Sequence, residues 1–486
     1  MKIDEKYYNM NNFNRIFKKY FCNKNHRVRY ITNPEGLTEE IKYASCCNQI
    51  SEVIHSNGAR TVYTYDLAER IQDVYNLKPN NELIKSFHYQ RDVNGFVVGV
   101  VRENSIWDQY YIYDNRLQLQ GVIYGDGKTE VYTYDGRGNR LSIEENGQIK
   151  EEYQYNIADE INYRQVNGET ESYNYSYQDS NDYLMVFTKH KPAYTPTNYE
   201  EEEYQYFDYR EKMVRYHKKV LIGTAPGSYD FEDTMDVEFS YLPDGLGRVG
   251  KKAYRYVRLE LGRHTITMKE DKDIFYLNDF YDLLYEKEEK TNWRGAGEPE
   301  YFQYEKYYTM GPGIDFPLVM SYSDTDMPYG ASYFYFLSGH NDVVFFADEN
   351  FTEDQIETYE YNPWGVLLTE ANKNNLLYTS REFDFDTGLY QYNQFYNVSL
   401  AIYSYKDELI YKIFSNKFLL TKNLLPFEIV TNIKLMELKE KFFIVSSLKT
   451  KCCIACWIVH EILDLHCLDC LCCLGTCGFQ CYECEW

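Results

Sequence analysis

The sequence is poor in proline and in basic charge. It has 12 prolines among 486 residues and a formal net charge of −24. A general nucleic-acid binder needs a basic face toward the phosphates, so that class is excluded for the acidic body of the chain. No uninterrupted apolar run of about 18 residues occurs before residue 450, so no membrane span is expected in the body. The first residues, MKIDEKYYNMNNF, lack the apolar stretch of a secretory signal, which leaves the localisation open.

Cysteine is also missing from most of the chain. Of the 13 cysteines, three lie near the start (Cys22, Cys46 and Cys47) and the other ten lie between Cys452 and Cys484. The long stretch between these groups is therefore expected to fold without disulfides, and the Cys-rich tail is expected to be a separate region of the chain.

Tyrosine, in contrast, is abundant. The chain has 53 tyrosines, and aromatic residues make up 17% of it. Tyrosine favours half-buried pleated surfaces, and a large aromatic content argues against disorder. We therefore expect an all-β protein.

The tyrosines recur at a nearly constant interval. Each of the segments VYTYD, SFHYQ, YYIYD, VYTYD, EYQYN and YNYSY contains an aromatic residue, one intervening residue and then a tyrosine. This second aromatic residue is Tyr65, Tyr89, Tyr113, Tyr134, Tyr155 and Tyr175 in turn, with steps of 24, 24, 21, 21 and 20 residues. Such a period is typical of a repeat protein whose units bury their faces against their neighbours.

Each unit also contains two turn signals. Asn57-Gly58, Asp126-Gly127, Asn146-Gly147 and Asn167-Gly168 precede the tyrosine pairs, and such dipeptides predict type I′ hairpin turns. After the tyrosines comes an Asp or Asn, which favours a turn because its side chain accepts hydrogen bonds from its own backbone. The unit therefore predicts two strands and two turns, and the series predicts a continuous antiparallel meander.

The two tyrosines of a pair are expected on the same sheet face, because side chains alternate along a strand. Over successive hairpins they would form an aromatic ladder. Structural packing is the favoured interpretation of that ladder, and a carbohydrate-binding platform is the alternative.

Two local features carry separate predictions. The acidic run Glu200–Glu203 is interpreted as a solvated loop or edge. Gly245, Gly247 and Gly250 satisfy G-x-G-x-x-G, but the following KKAYRYVRLEL alternates like a strand, so a repeat turn is favoured over a nucleotide site.

The sequence resembles the YD-repeat proteins of the Rhs family, which also includes teneurin-related repeats. The repeats are joined by an ordered series of further segments: YTMGPGIDFPLVMSY (308–322), YFYFLSGHNDVVFFADENF (333–351), ETYEYNPWGVLL (357–368) and SREFDFDTGLYQYNQFYNVSLAIYSYKDEL (380–409). The last of these is similar to the Rhs repeat-associated core.

The resemblance implies a β-sheet that curls into a shell, often of a polymorphic-toxin protein used in bacterial competition. The number of repeats predicts a partial shell or a fragment of a larger product, with exposed first and last strands. In many family members an Asp-Pro motif after the core performs self-cleavage. Here Asp407 is followed by Glu408, so this cleavage is not expected.

The resulting division of the chain has six parts. They are a lead-in (1–27), YD repeats (28–177), degenerate or inserted repeats (178–240), further repeats leading into the core (241–379), the end of the core (380–409) and a variable Cys-rich tail (410–486).

The tail is expected to form one or two helices and then a Cys-rich end. Residues 406–451 hold nine lysines against five acids, which suits a nuclease, although no catalytic constellation accompanies them. Cys453, Cys456, Cys467 and Cys470 form two C-x-x-C pairs and predict a zinc site. A disulfide cluster and a tail with no selected role are the alternatives.

Three functions follow from these observations. The leading one is a non-enzymatic scaffold that houses or presents the C-terminal variable region, without a cofactor in the body. The alternatives are a cell-surface module that binds carbohydrate, and a toxin effector whose active tail is neutralised by an immunity protein. His217, His264 and His340 are interpreted as turn or core residues, not as metal ligands.

Overall fold

A computed structural model describes most of the chain between residues 19 and 403. The gaps within that range are 24, 26, 46–48, 178–183, 192–197, 211, 224–229, 243–246, 262–263, 280–281, 296, 326, 328–329, 392–394 and 398–401. The described residues form β-strands, and they contain short 3-10 turns (Ser105–Trp107, Glu353–Gln355 and Tyr378–Ser380) but no α-helix. None of the helical segments in these ranges has the length and apolar content to cross a membrane.

The strands of the main sheet follow one another along the chain. They are β1 Lys19–Cys22, β2 Val28–Thr32, β3 Thr38–Tyr43, β4 Ile50–Ile54, β5 Arg60–Tyr65, β6 Ile71–Leu77, β7 Leu83–Arg91, β8 Val97–Arg102, β9 Gln109–Tyr113, β10 Leu119–Tyr124, β11 Thr129–Tyr134, β12 Arg140–Glu145, β13 Gln148–Tyr155, β14 Ile161–Val166, β15 Glu169–Tyr177, β16 Leu184–Lys191, β17 Asn198–Phe207, β18 Met213–Gly223, β19 Phe231–Tyr241, β20 Arg248–Leu261, β21 His264–Asp279, β22 Asp282–Arg294, β23 Glu300–Met310, β24 Pro317–Asp324, β25 Ala331–Leu337, β26 Val343–Asp348 and β27 Glu357–Thr358.

A second, small sheet follows. It consists of β28 Glu382–Asp384, β29 Leu389–Gln391, β30 Phe395–Asn397 and β31 Ile402–Tyr403.

Consecutive strands pair antiparallel from β1 to β27, so the described residues form one open 27-stranded meander. This confirms the predicted all-β architecture. The sheet continues through β16 to β19, in the region predicted to hold degenerate or inserted repeats, and its strands lengthen there to 11 residues in β18 and β19. The strand β20 begins at Arg248 and contains the last glycine of the G-x-G-x-x-G segment, Gly250, as expected of a repeat turn and not of a dinucleotide site.

The two tyrosines of a repeat have different environments on the inner face. The first is buried, as Tyr132 and Tyr153 show at 2% and 3% exposure. In several repeats the second ends its strand and donates its hydroxyl to the first carbonyl of the preceding strand: Tyr134 to Leu119 at 2.7 Å and Tyr155 to Arg140 at 2.8 Å. The same bond recurs at Tyr43, Tyr65, Tyr113, Tyr241 and Tyr361. We call this repeated contact the tyrosine clamp; it satisfies a carbonyl where the strand pair begins.

The predicted Asp or Asn turn after the tyrosines is confirmed. Asp135 Oδ1 accepts the backbone N–H groups of Arg137 at 2.8 Å and Asn139 at 2.9 Å. The fourth residue of the turn, Gly138, has a left-handed φ of +98°. The same side-chain bonds hold the turns at Asp66, Asp92, Asp114, Asn156 and Asn362.

The type I′ prediction is right for two of the four dipeptides. Asn146 and Asn167 have φ of +51° and +50°, and the glycine after each is also left-handed. At Gly58 and Gly127 only the glycine is left-handed, and a longer loop is closed, for example by Tyr124 N–H to Lys128 O at 2.9 Å. There the strand ends are one residue further apart, which requires a type I turn followed by a glycine bulge.

The 27-stranded sheet β1 to β27, called the wall below, curls so that its early strands pack against its late ones. Asn76 on β6 donates to Leu337 O on β25 at 3.2 Å, and Tyr89 on β7 accepts from Gly339 N at 2.8 Å. One apolar core therefore extends over β2 to β11 and over β21 to β26. A second core lies under β13 to β20 and includes Leu389 from the small sheet.

Candidate functional site

The described inner face carries charged side chains in a regular order. In four repeats a glutamate or glutamine stands two residues before the buried first tyrosine and accepts a hydrogen bond from its hydroxyl. Tyr173 donates to Glu171 at 2.5 Å and Tyr111 donates to Gln109 at 2.7 Å, and Tyr132 and Tyr153 do the same to Glu130 and Glu151. Burial and the neighbouring carboxylate raise the pKa of Tyr173 well above its ordinary value. The pattern Glu-x-Tyr-x-Tyr in the sequence is the signal of this glutamate–tyrosine contact.

Basic residues on the intervening strands neutralise two of these glutamates, Glu151 and Glu171. Arg164 on β14 lies 2.7 Å from Glu151 on one side and 3.3 Å from Glu171 on the other. Lys189 on β16 lies 3.4 Å from Glu171 and 3.5 Å from Glu201. Acidic and basic side chains thus alternate from β13 to β17.

The run Glu200–Glu203 was predicted to be a solvated loop or edge, and that prediction is wrong. The run lies within β17, where Glu201 and Glu203 point inward and are each 6% exposed. Burial raises the pKa of Glu201, but Lys189 and Lys218 (2.9 Å away) outweigh it and lower that pKa to about 2. The lysines that permit this burial lie on β16 and β18, so the run alone does not reveal them.

An acidic hairpin from the predicted repeat-associated core (residues 380–409) docks on the same inner face. This hairpin, residues 382–391, consists of β28 and β29 and is called the core hairpin below. Glu382 lies 2.5 Å from Arg248, and Asp384 lies 2.8 Å from Lys251. Its tip carboxylate, Asp386, lies 2.6 Å from Lys251 and 2.7 Å from Lys272.

These ion pairs are almost completely removed from water. The side chains of Arg248 and Lys251 are each 4% exposed, and that of Asp384 is 0% exposed. Burial opposes the charge on Asp386, but the two lysines hold the pKa of that carboxyl well below its ordinary value. The charged hairpin is therefore fixed to the wall, because separating either partner would leave a buried charge uncompensated.

The segment between the wall and the core hairpin is anchored in the same way. Glu360 accepts from Lys85 at 2.5 Å and from Arg102 at 3.1 Å. Trp364 of the Asn-Pro-Trp-Gly element meets the ring of Tyr132 edge-on, with centroids 5.4 Å apart. Arg140 lies over the Trp364 ring at 4.7 Å, so this element crosses the inner face to reach β11 and β12.

A third anchor connects the Gly-Pro-Gly loop to the start of the repeat-associated core, residues 380–409. Arg381 lies 2.8 Å from Asp315, whose backbone N–H donates to Asp282 at 3.0 Å. Burial raises the pKa of Asp315 to about 7, although Arg381 lowers it, and Asp282 adds to the rise.

A cavity of about 210 Å³ lies between β14 to β18 and the core hairpin. Its lining mixes charged and aromatic side chains from the wall, including Arg164, Lys189, Glu203 and Tyr216, with Thr387 and Leu389 from the hairpin. The arrangement suits polar contact between wall and hairpin. Of the charged side chains that line it, Arg164 and Lys189 also take part in the ion pairs described above.

His340 is a turn residue as predicted, whereas His217 is a half-buried strand residue and lies neither in a turn nor in the core. His340 lies in the turn before β26, with Nδ1 3.1 Å from Asp342, and His217 lies in β18, with Nδ1 3.2 Å from Asp236. His264 begins β21, and its side chain is outside the described part.

The predicted zinc ligands Cys453, Cys456, Cys467 and Cys470 lie outside the described residues, as do Asp407 and the basic tail. The zinc site, the nuclease and the missing self-cleavage therefore stay predictions.

Comparison with known proteins gave structural matches only. No family model matches this sequence, and no curated protein matches it. The crystal structure of TcdB2-TccC3-TEV is similar over 79% of this chain and 20% of that chain, with 14% identity and a TM-score of 0.47. The Photorhabdus luminescens Tc holotoxin pore with mutated TccC3 is similar over 79% of this chain and 19% of that chain, with 14% identity and a TM-score of 0.47. TcdB2-TccC3 without its hypervariable C-terminal region is similar over 77% of this chain and 19% of that chain, with 14% identity and a TM-score of 0.46. This chain spans about a fifth of the length of these proteins.

Proposed function

We propose that this chain is a non-enzymatic YD-repeat scaffold of the Rhs type, which houses or presents its C-terminal variable region. The ordered motifs from the Gly-Pro-Gly segment to the Phe-Asp-Phe-Asp hairpin support the family assignment. The observation that carries the scaffold role is the core hairpin, which Arg248, Lys251 and Lys272 fix to the inner face. The chain that continues beyond this hairpin leaves from a rigid point on the wall.

The buried charges support a structural role for the inner face. A catalytic carboxylate or lysine has to be available to a substrate, whereas Asp384 and Lys251 are buried and bonded to each other. The geometry of these groups is that of a fixed contact between two elements of the chain.

The test separates the wall from the tail in bacterial cells. We expect residues 1–409 to leave growth unchanged, and growth inhibition by these residues would contradict a non-enzymatic wall. Slower growth on production of residues 408–486 alone, restored by co-production of an immunity protein, would favour the alternative of a toxin effector with an active tail.

Self-cleavage is proposed not to occur, because Glu408 stands where the family has proline. Mass spectrometry of the purified full chain is expected to show one intact species. A stable fragment that ends near residue 407 would contradict this.

A carbohydrate-binding role has one observation in its favour, on the outer face of β8 to β11. The exposed Tyr110 and Ile112 lie beside Gly99 and Gly121 of the neighbouring strands, and a Cβ on Gly99 would lie 3.1 Å from the Tyr110 ring. The ring thus covers the glycine and gives a flat apolar surface, which suits the face of a sugar ring. Loss of glycan binding in Tyr110→Ala, with binding kept in Tyr209→Ala, would support this role; no glycan binding by the full chain would remove it.

A further inference from the structure

Three possible metal ligands meet on the outer face of the wall. The pairing of β16 with β17 places His190 directly opposite Glu202, and Glu200 lies two residues before Glu202 on the same face. Their neighbours Glu201 and Glu203 point inward, so these three side chains point outward. All three are half-buried, so solvent reaches them.

The distance between His190 and Glu202 fits a shared ion better than a direct hydrogen bond. One ligand atom from each of the three residues lies within 4.8 Å of the other two. His190 Nδ1 is 3.8 Å from Glu202 Oε1, which is too long for a hydrogen bond. Two ligands that bind one ion at about 2.1 Å each lie roughly 3–4 Å apart.

The surroundings orient one of these carboxylates. Tyr204 donates its hydroxyl to Glu202 Oε2 at 3.3 Å, which leaves Oε1 on the side of His190. Metal-binding carboxylates are commonly held in this way by a second hydrogen bond. Lys219 on the neighbouring strand β18 pairs with Glu202 in the strand register. The Nζ atom of Lys219 lies 3.6 Å from the carboxylate of Glu232.

We propose that His190, Glu200 and Glu202 form a binding site for a divalent cation such as Mn²⁺ or Zn²⁺. Mixed imidazole and carboxylate ligands suit these ions, and water would complete the coordination at this half-exposed surface. The ion ties β16 to β17 from outside, next to the ion pairs that connect the same strands on the inner face. This site is separate from the zinc site predicted in the tail.

Mn²⁺ is the suitable probe, because the thiolates of the ten tail cysteines favour softer ions. We would titrate the full chain with Mn²⁺ and follow free Mn²⁺ by electron paramagnetic resonance. The variants are His190→Ala and Glu202→Gln. The matched control is His88→Ala: His88 is exposed to a similar degree (46% against 41%) and lies 2.7 Å from Asp73, but it belongs to no three-ligand cluster in the described residues.

The expected result is one bound Mn²⁺ that His190→Ala and Glu202→Gln each weaken about tenfold or more. His88→Ala should bind Mn²⁺ as the unchanged chain does, which also shows that removing a surface histidine leaves the fold intact. No binding, equal binding by all four chains, or an equal loss in His88→Ala would each overturn the proposal.

Discussion

At the scale of single residues, the two tyrosines of a repeat are not equivalent. The first is buried and donates to a carboxylate on its own strand, as Tyr173 does to Glu171. The second forms the tyrosine clamp to the preceding strand, as Tyr134 does to Leu119 O. Because tyrosine strands alternate with returning strands, successive clamps are about 10 Å apart, too far for one clamp ring to stack on the next. The predicted ladder is therefore a series of hydrogen-bonded clamps.

Removing one clamp hydroxyl should destabilise the chain measurably. Tyr134→Phe keeps the ring but leaves Leu119 O without this donor. We expect the free energy of unfolding to fall by about 1–2 kcal/mol, measured by urea denaturation. Tyr209→Phe is the control, since Tyr209 is 68% exposed, and it should change the stability by less than about 0.5 kcal/mol. Equal effects of the two substitutions would refute the clamp.

Asp315 predicts an unusual dependence of stability on pH. Its pKa is raised from 3.8 to about 7 in the folded chain, chiefly by burial. The folded chain therefore holds a proton between these pH values that the unfolded chain has lost, so the stability from this group is present at low pH and disappears as pH rises through about 7.

The corresponding measurement compares the full chain with Asp315→Asn. The stability of the unchanged chain relative to this variant should fall as pH increases from about 4 to about 8, measured by chemical denaturation at each pH. A difference that grows with pH would mean that the ion pair with Arg381 dominates instead, and the burial argument would be wrong.

At the scale of elements, backbone conformation separates the turns that local sequence makes look alike. Asn146-Gly147 and Asp126-Gly127 are similar dipeptides, yet only the first has two left-handed residues. The number of residues between the paired strand ends decides the turn type, and that number follows from the strand register. The presence and position of each turn were thus predictable, and the turn type was not.

A pair of glycines isolates the cost of the left-handed backbone. Gly147 has φ of +80° and Gly136 does not have a left-handed φ, while a Cβ on either would meet no atom closer than 4.0 Å. We expect Gly147→Ala to destabilise the chain by about 1–2 kcal/mol and Gly136→Ala to have little effect. Thermal unfolding followed by circular dichroism would measure both, and a neutral Gly147→Ala would contradict the type I′ assignment.

At the scale of the whole molecule, the wall is held in its curled form by residues far apart in sequence. Alternating tyrosines and Asn-Gly turns predict the meander, because these signals lie within one repeat. The docking of the core hairpin on the inner face was not predicted, because Arg248 and Glu382 are 134 residues apart and meet only when the sheet curls. Likewise, the burial of Glu201 depends on Lys189 and Lys218, which the register brings alongside.

Lys251 provides a direct test of how firmly the core hairpin is held. Lys251→Met leaves Asp384 and Asp386 with less compensating charge, and we expect a loss of roughly 3–5 kcal/mol. Peptides covering residues 382–391 should exchange backbone hydrogen faster, as measured by mass spectrometry. Its neighbour Lys252 is the control: its side chain is 70% exposed, and Lys252→Met should leave the exchange unchanged. Equal exchange in the two variants would show that the hairpin does not depend on the buried pairs.

Photo-cross-linking from position 57 tests the curled wall most directly. Asn57, in the turn before β5, donates to Glu349 O at 3.4 Å, although 292 residues separate the two. With a benzophenone amino acid at position 57, irradiation of the full chain should give an adduct on the peptide that contains residues 345–352. Adducts found only on the neighbouring strands, residues 50–82, would show that the early and late strands do not meet, and would contradict the curled wall.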